Sequence, residues 1–83
     1  MEKLIKQKLQ KESIDYTTKI LDICGIKNEI SSINLGQYHI HTKNDIVITY
    51  YSLSQKFSYI INNVVYKDKG IINLIKVFEK LQK

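Results

Sequence analysis

The 83-residue chain contains no alanine, arginine, proline or tryptophan, and only one cysteine and three glycines. Each absence excludes something. One cysteine, Cys24, rules out an internal disulfide and a multi-cysteine zinc site, and fits a reducing cytosol. Without arginine the planar fork that reads guanine and clamps phosphate is missing, so sequence-specific DNA readout is disfavoured while lysine–phosphate contact is not. No run of about 18 apolar residues occurs, so no membrane-spanning helix is expected. Residues 1–12 mix charges with Leu4, Ile5 and Leu9 rather than forming the apolar run of a secretory signal. The expected location is the cytoplasm. Gly25, Gly36 and Gly70 stand apart, so there is no glycine-rich phosphate loop.

What is present is as lopsided as what is missing. Fifteen isoleucines and thirteen lysines, with asparagine, tyrosine and phenylalanine, make up about half the chain. All have AT-rich codons, and an AT-rich genome such as that of a low-GC bacterium or its mobile elements is the economical explanation. The formal charge of +5 therefore carries less weight as a sign of a nucleic-acid partner, because codon bias alone favours lysine. The apolar share is that of a globular protein, and 83 residues suffice for a single domain near the lower size limit for an unstapled core.

Periodicity organises the chain. In residues 2–24, Ile5, Leu9, Tyr16, Ile20 and Ile23 recur on one helical face, with Lys3, Lys8, Lys11 and Lys19 away from it. A continuous helix is predicted, ending at Gly25 as a left-handed cap, although Ser13 could instead cap a shorter helix behind a basic arm. Residues 26–35 have no period and read as a loop. Strands are predicted at 37–42, 46–53 and 57–61. Asn62-Asn63 suits a two-residue hairpin turn into a short fourth strand at 64–67, the alternative being one long, bent third strand. Ile71, Leu74, Ile75, Phe78 and Leu81 then give a second amphipathic helix, with Lys76, Lys80 and Lys83 opposite. The predicted fold is α+β: helix, antiparallel meander of three or four strands, helix, with both helices on one sheet face.

Even-length turns between the strands would place Ile46, Ile48, Tyr50, Phe57, Tyr59, Ile61, Val64 and Tyr66 on the helix-covered face, with His39 and His41. Tyr38, Ile40, Val47, Tyr51, Ile60 and Val65 would then face outward. An uncovered apolar sheet face of this kind marks a protein-binding or self-association surface. Lys67, Lys69, Lys76, Lys80 and Lys83 form a candidate basic strip that could hold nucleic acid, or simply a solvated face.

Catalytic signals are weak. His39 and His41 could both approach one metal ion, but no third ligand stands at a suitable spacing, so no metal is expected. Cys24 follows a helix C-terminus, where the dipole disfavours a thiolate, and is expected to be a buried structural residue. Asp15, Asp22, Asp45 and Asp68 are scattered, and no nucleophile stands with a base; no enzyme and no cofactor are expected.

The order helix, three strands, helix resembles the topology of double-stranded RNA-binding domains over roughly residues 2–82, with Lys67 and Lys69 ahead of the last helix. Ile71 and Ile72 stand where that family has a lysine pair and small residues, and its Gly-Pro-x-His loop is absent. The expected function is a small non-enzymatic interaction protein acting by surface occlusion, in the manner of phage or mobile-element inhibitors of host defence such as anti-CRISPR proteins. Non-specific RNA or DNA binding through the lysines is the alternative.

Overall fold

The computed structural model describes residues 2–82. Its order is α1 (Glu2–Ile23), β1 (Asn28–Ser32), β2 (Gln37–His41), β3 (Val47–Tyr51), β4 (Lys56–Ile61), β5 (Val64–Lys69) and α2 (Ile71–Leu81). The five strands form one antiparallel meander in chain order. The α+β class stands as predicted; the sheet has one strand more than expected. That strand, β1, lies in the stretch expected to be a loop. Its polar composition (Asn28, Ser31, Ser32) hid it, because an edge strand with one inward apolar residue, Ile30, gives no alternation to read.

Local chemistry fixes the element ends. At the end of α1, Gly25 adopts φ +69°, its N–H bonds to Asp22 O (3.1 Å) and the Ile26 N–H bonds to Leu21 O (2.9 Å). This is a Schellman closure, and its apolar clasp is the contact pair Leu21 and Ile26, both buried. Asn62 and Asn63 take φ of 51° and 66°, the double left-handed geometry of a two-residue hairpin, as their sequence predicted. α2 is tied at both ends. The Gly70 N–H bonds to Gln55 O (2.8 Å), and Asn44 Nδ2 bonds to Leu81 O (2.6 Å).

One turn decides the faces. Between β2 and β3 the loop holds Lys43, Asn44 and Asp45, the three residues that the predicted strand bounds leave for it, and this odd length does not fit the even-turn rule used to assign the faces. The Thr42 N–H bonds to Ile46 O (3.0 Å) while Asp45 sits at φ +61°, the left-handed residue that closes a three-residue hairpin. The register therefore pairs Tyr38 with Tyr50 and Ile40 with Ile48. A one-residue difference in register moves a whole strand to the other face. Tyr38 and Ile40, predicted to face outward, are fully buried; His39 and His41, predicted to face the helices, lie on the opposite side.

The core joins Tyr38, Ile40, Ile48, Tyr50 and Phe57 of the sheet to Ile14 and Leu21 of α1, Ile26, and Leu74 of α2. The α2 stripe packs as predicted, with Ile71, Ile75, Phe78 and Leu81 half-buried against that cluster. The α1 stripe does not. Its buried side is Ile14, Thr17 and Leu21, flanked by half-buried Gln10, Ser13 and Thr18. Polar contacts anchor this side. The Tyr38 hydroxyl donates to Ile14 O (2.7 Å) and lies 2.6 Å from Thr18 Oγ1, Ser13 Oγ meets Ser52 Oγ at 2.9 Å, and Gln10 Nε2 donates to Asn34 O (3.0 Å). Each such bond contributes about 1 kcal/mol net, and more is lost if one buried partner is removed.

The buried tyrosines make the fold alkali-sensitive. Burial pushes the Tyr50 hydroxyl up to about 12 from 10.0, against a smaller opposing effect of its hydrogen bond to Thr17; burial also raises Tyr38. Both groups hold their protons more tightly when folded, so this stability is fully present below about pH 10 and is lost as pH rises towards 12. The urea midpoint is expected to fall between pH 10 and 12, and Tyr50→Phe to make that fall shallower. An equal slope in the variant would exclude Tyr50 as a source.

Candidate binding surfaces

Two surfaces stand out once the register is known. The first is the sequence's own helical stripe, turned to solvent. At 100° per residue, Ile5, Leu9, Tyr16, Ile20 and Ile23 fall within about 60° of arc, and Ile5 to Ile23 spans about 27 Å. Ile5, Leu9, Tyr16 and Ile23 are 60%, 48%, 58% and 79% exposed, and only Ile20 is half-buried. The periodicity predicted the helix correctly and its buried side wrongly. The core-facing side mixes Ile14 and Leu21 with the polar, hydrogen-bonded Gln10, Ser13, Thr17 and Thr18, so hydrophobicity alone points away from it.

The second surface is the outer sheet face, opposite the helices. Cross-strand pairing lays it out in rows. Val47, Ile60 and Val65 form an apolar row, 39%, 59% and 55% exposed. Thr49, Ser58 and Lys67 lie beside His39 in the middle row. Tyr51, Lys56 and Lys69 lie beside Gln37 in the third, where Gln37 Nε2 donates to the Tyr51 hydroxyl (2.9 Å). Of the six residues expected outward, Val47, Tyr51, Ile60 and Val65 are here and Tyr38 and Ile40 are not. The broad apolar face of the sequence reading is thus a narrow row beside a polar, basic half.

The basic strip is divided. Lys67 and Lys69 lie on the outer sheet face, whereas Lys76 and Lys80 are exposed on α2, which packs on the other side; Lys83 lies outside the described residues. Lys56, absent from that strip, stands directly opposite Lys69. The signal was available: the Asn62-Asn63 turn fixes Ile61 opposite Val64, and counting back brings Lys56 to Lys69.

The remaining candidates stay apart. His41 Nε2 lies 3.6 Å from Glu29 Oε2, both well exposed, and no group of three His, Cys, Asp or Glu side chains suited to a metal ion occurs among the described residues. Cys24 is exposed, not buried as expected, because Leu21 and Ile26 take the inward positions around the helix end. Among the described residues no helix is long and apolar enough to cross a membrane. A shallow groove of about 740 Å3 between α1 and the β1 edge is lined by Gln7, Gln10, Lys11, Ile14, Ile30 and Ile33, among others, and holds no chemical grouping beyond these. The chain matches no protein-family model, no curated protein and no solved structure, so its surfaces are interpreted from its own residues.

Proposed function

We propose that the chain is a non-enzymatic interaction module that works by occupying a partner protein's surface, with the exposed stripe of α1 seated in an apolar groove of that partner. One observation carries this reading: the most regular apolar stripe of the long helix is turned away from its own sheet. Apolar anchors spaced along one helical face are what helix-in-groove recognition uses, and contiguous exposed apolar surface usually marks an interaction site. A second copy is the poorer occupant. Antiparallel pairing of two stripes about their midpoint brings the same flanks together, setting Lys8 beside a second copy's Lys19 and Glu12 beside its Asp15. The non-enzymatic part rests on the sequence, in which no nucleophile stands with a base. Occlusion of a host defence protein by a phage or mobile-element product is the setting that size and composition suggest.

The test is capture from nuclease-treated lysate of the source cells. The chain is expected to retain a protein that Leu9→Lys/Tyr16→Lys releases, with affinity for the purified partner reduced on the order of a hundredfold for two lost anchors. Equal retention by parent and double variant would overturn the α1 assignment. Loss with Ile60→Lys instead would move the docking surface to the outer sheet row.

A further inference from the structure

The register brings together three lysines, none of them in an ion pair among the described residues. Lys56 and Lys69 are direct cross-strand partners, and Lys67 stands one row away, opposite Ser58. Directly opposed Cβ atoms are about 5 Å apart, and like charges so placed destabilise a sheet. All three side chains are exposed. The nearest carboxylate in the groove they line with Tyr51 and Ser58 is Asp68, which accepts the Lys69 backbone N–H (2.8 Å) and belongs by alternation to the other face. Three cations against one carboxylate leave a net positive groove of about 590 Å3 at the third-row end of the outer face.

The polar groups around the lysines narrow the ligand class. Tyr51 is half-buried, with its hydroxyl held by Gln37 Nε2, and Gln37 Oε1 in turn accepts from Ser31 Oγ (2.9 Å). The ring is therefore fixed in place beside the lysines. Thr49, Ser58 and His39 add hydrogen-bonding groups along the middle row. A fixed aromatic ring next to a short row of cations is the combination that single strands use: bases stack on the ring and phosphates meet the lysines. A duplex offers no free base to stack, and isolated phosphate needs only one or two of these cations.

We infer that the Tyr51, Lys56, Lys67, Lys69 groove binds single-stranded nucleic acid, with phosphates on the lysines and a base on Tyr51. This site is on the opposite side of the sheet from the α1 stripe and is independent of it. A protein docked on α1 leaves the groove open.

The probe is a fluorescently labelled twelve-nucleotide oligo-dT or oligo-U, titrated with the intact protein between 50 and 200 mM salt. Three phosphate contacts to a single strand predict a slope of log K against log salt of about −2. The triple variant Lys56→Gln/Lys67→Gln/Lys69→Gln is expected to abolish that slope. Tyr51→Leu is expected to weaken binding about tenfold with the slope unchanged, as a lost stacking contact would. Lys76→Gln/Lys80→Gln should stay within about twofold of the parent. Lys69→Gln alone should raise the thermal midpoint, because it removes an opposed like charge; this readout also guards against misfolding. No binding at 50 mM salt would overturn the assignment. So would equal loss in the Lys76/Lys80 variant, or equal binding of duplex or of polyglutamate with no effect of Tyr51→Leu. The last outcome would make the groove a site for acidic protein segments.

Discussion

Ile40→Lys is expected to prevent folding, whereas Ile60→Lys should change stability by no more than about 0.5 kcal/mol. Both residues are isoleucines next to last in their strands, and the sequence pattern places them on the same outward face. Ile40 is fully buried opposite Ile48, and Ile60 is 59% exposed opposite Val65. A lysine at position 40 would forfeit the burial of the isoleucine, about 2–3 kcal/mol, and would place an ammonium with no carboxylate partner inside the core. Together these exceed about 5 kcal/mol, against a total stability on the order of 4–12 kcal/mol for a domain of this length. Circular dichroism with urea titration separates the outcomes. If both variants unfold, or both fold, the three-residue turn at Asp45 does not set the face of β2.

The two turns joining β2 to β3 and β4 to β5 show how far the sequence could be read. Asn62-Asn63 announces its geometry, because two adjacent asparagines tolerate two successive left-handed residues, and the register of β4 and β5 is the one that such a two-residue turn dictates. Lys43-Asn44-Asp45 offers no such signal. The strand bounds 37–42 and 46–53 leave these three residues as the turn and Asp45 tolerates φ +61°, but an odd-length turn does not obey the even-turn rule on which the predicted faces rest. The error was one residue long and turned over a whole strand. The α1 misassignment has a different cause. Ser13, Thr17 and Thr18 sit at or beside the interface because the sheet presents hydroxyls there, Tyr38 and Ser52, and a hydroxyl can satisfy another as well as methyl packs on methyl. Such a seam is invisible to hydrophobic periodicity. α2 packs by its apolar stripe, so periodicity identifies its buried side.

These two errors bear directly on function. With Tyr38 and Ile40 inside, the apolar surface available for docking shifts from the sheet to α1, and the sheet's outer face is dominated by its lysines. The composition that made lysine look like codon drift still explains how many there are. It does not explain why two of them oppose each other across adjacent strands, at a cost to the sheet.

Gly36→Ala should cost about 3 kcal/mol, and the same change at Gly25 only about 1 kcal/mol, although both glycines have nearly the same backbone. Their φ values are +61° and +69°, so the left-handed penalty of about 1–2 kcal/mol is shared. The surroundings differ. A Cβ at Gly25 would meet nothing within 4 Å, whereas at Gly36 it would lie 2.5 Å from Ser52 Oγ and 2.9 Å from Gln10 Nε2. Gln10 can swing away. Ser52 is buried, its hydroxyl meets Ser13 Oγ and its N–H bonds to Gly36 O (2.9 Å), so relieving the overlap breaks the contact that ties α1 to the β3 end of the sheet. The lost hydrogen bond and the strain of moving Ser52 supply the extra 2 kcal/mol or so. A double-mutant cycle isolates this term: in a Ser52→Ala background the overlap with Oγ disappears, and Gly36→Ala should then cost no more than Gly25→Ala. Should the two glycines prove equally sensitive in the parent, the Ser13–Ser52 tie would not be holding α1 in place. α1 would then be held by the Tyr38 hydroxyl contacts with Ile14 and Thr18 and by the burial of Ile14 and Leu21.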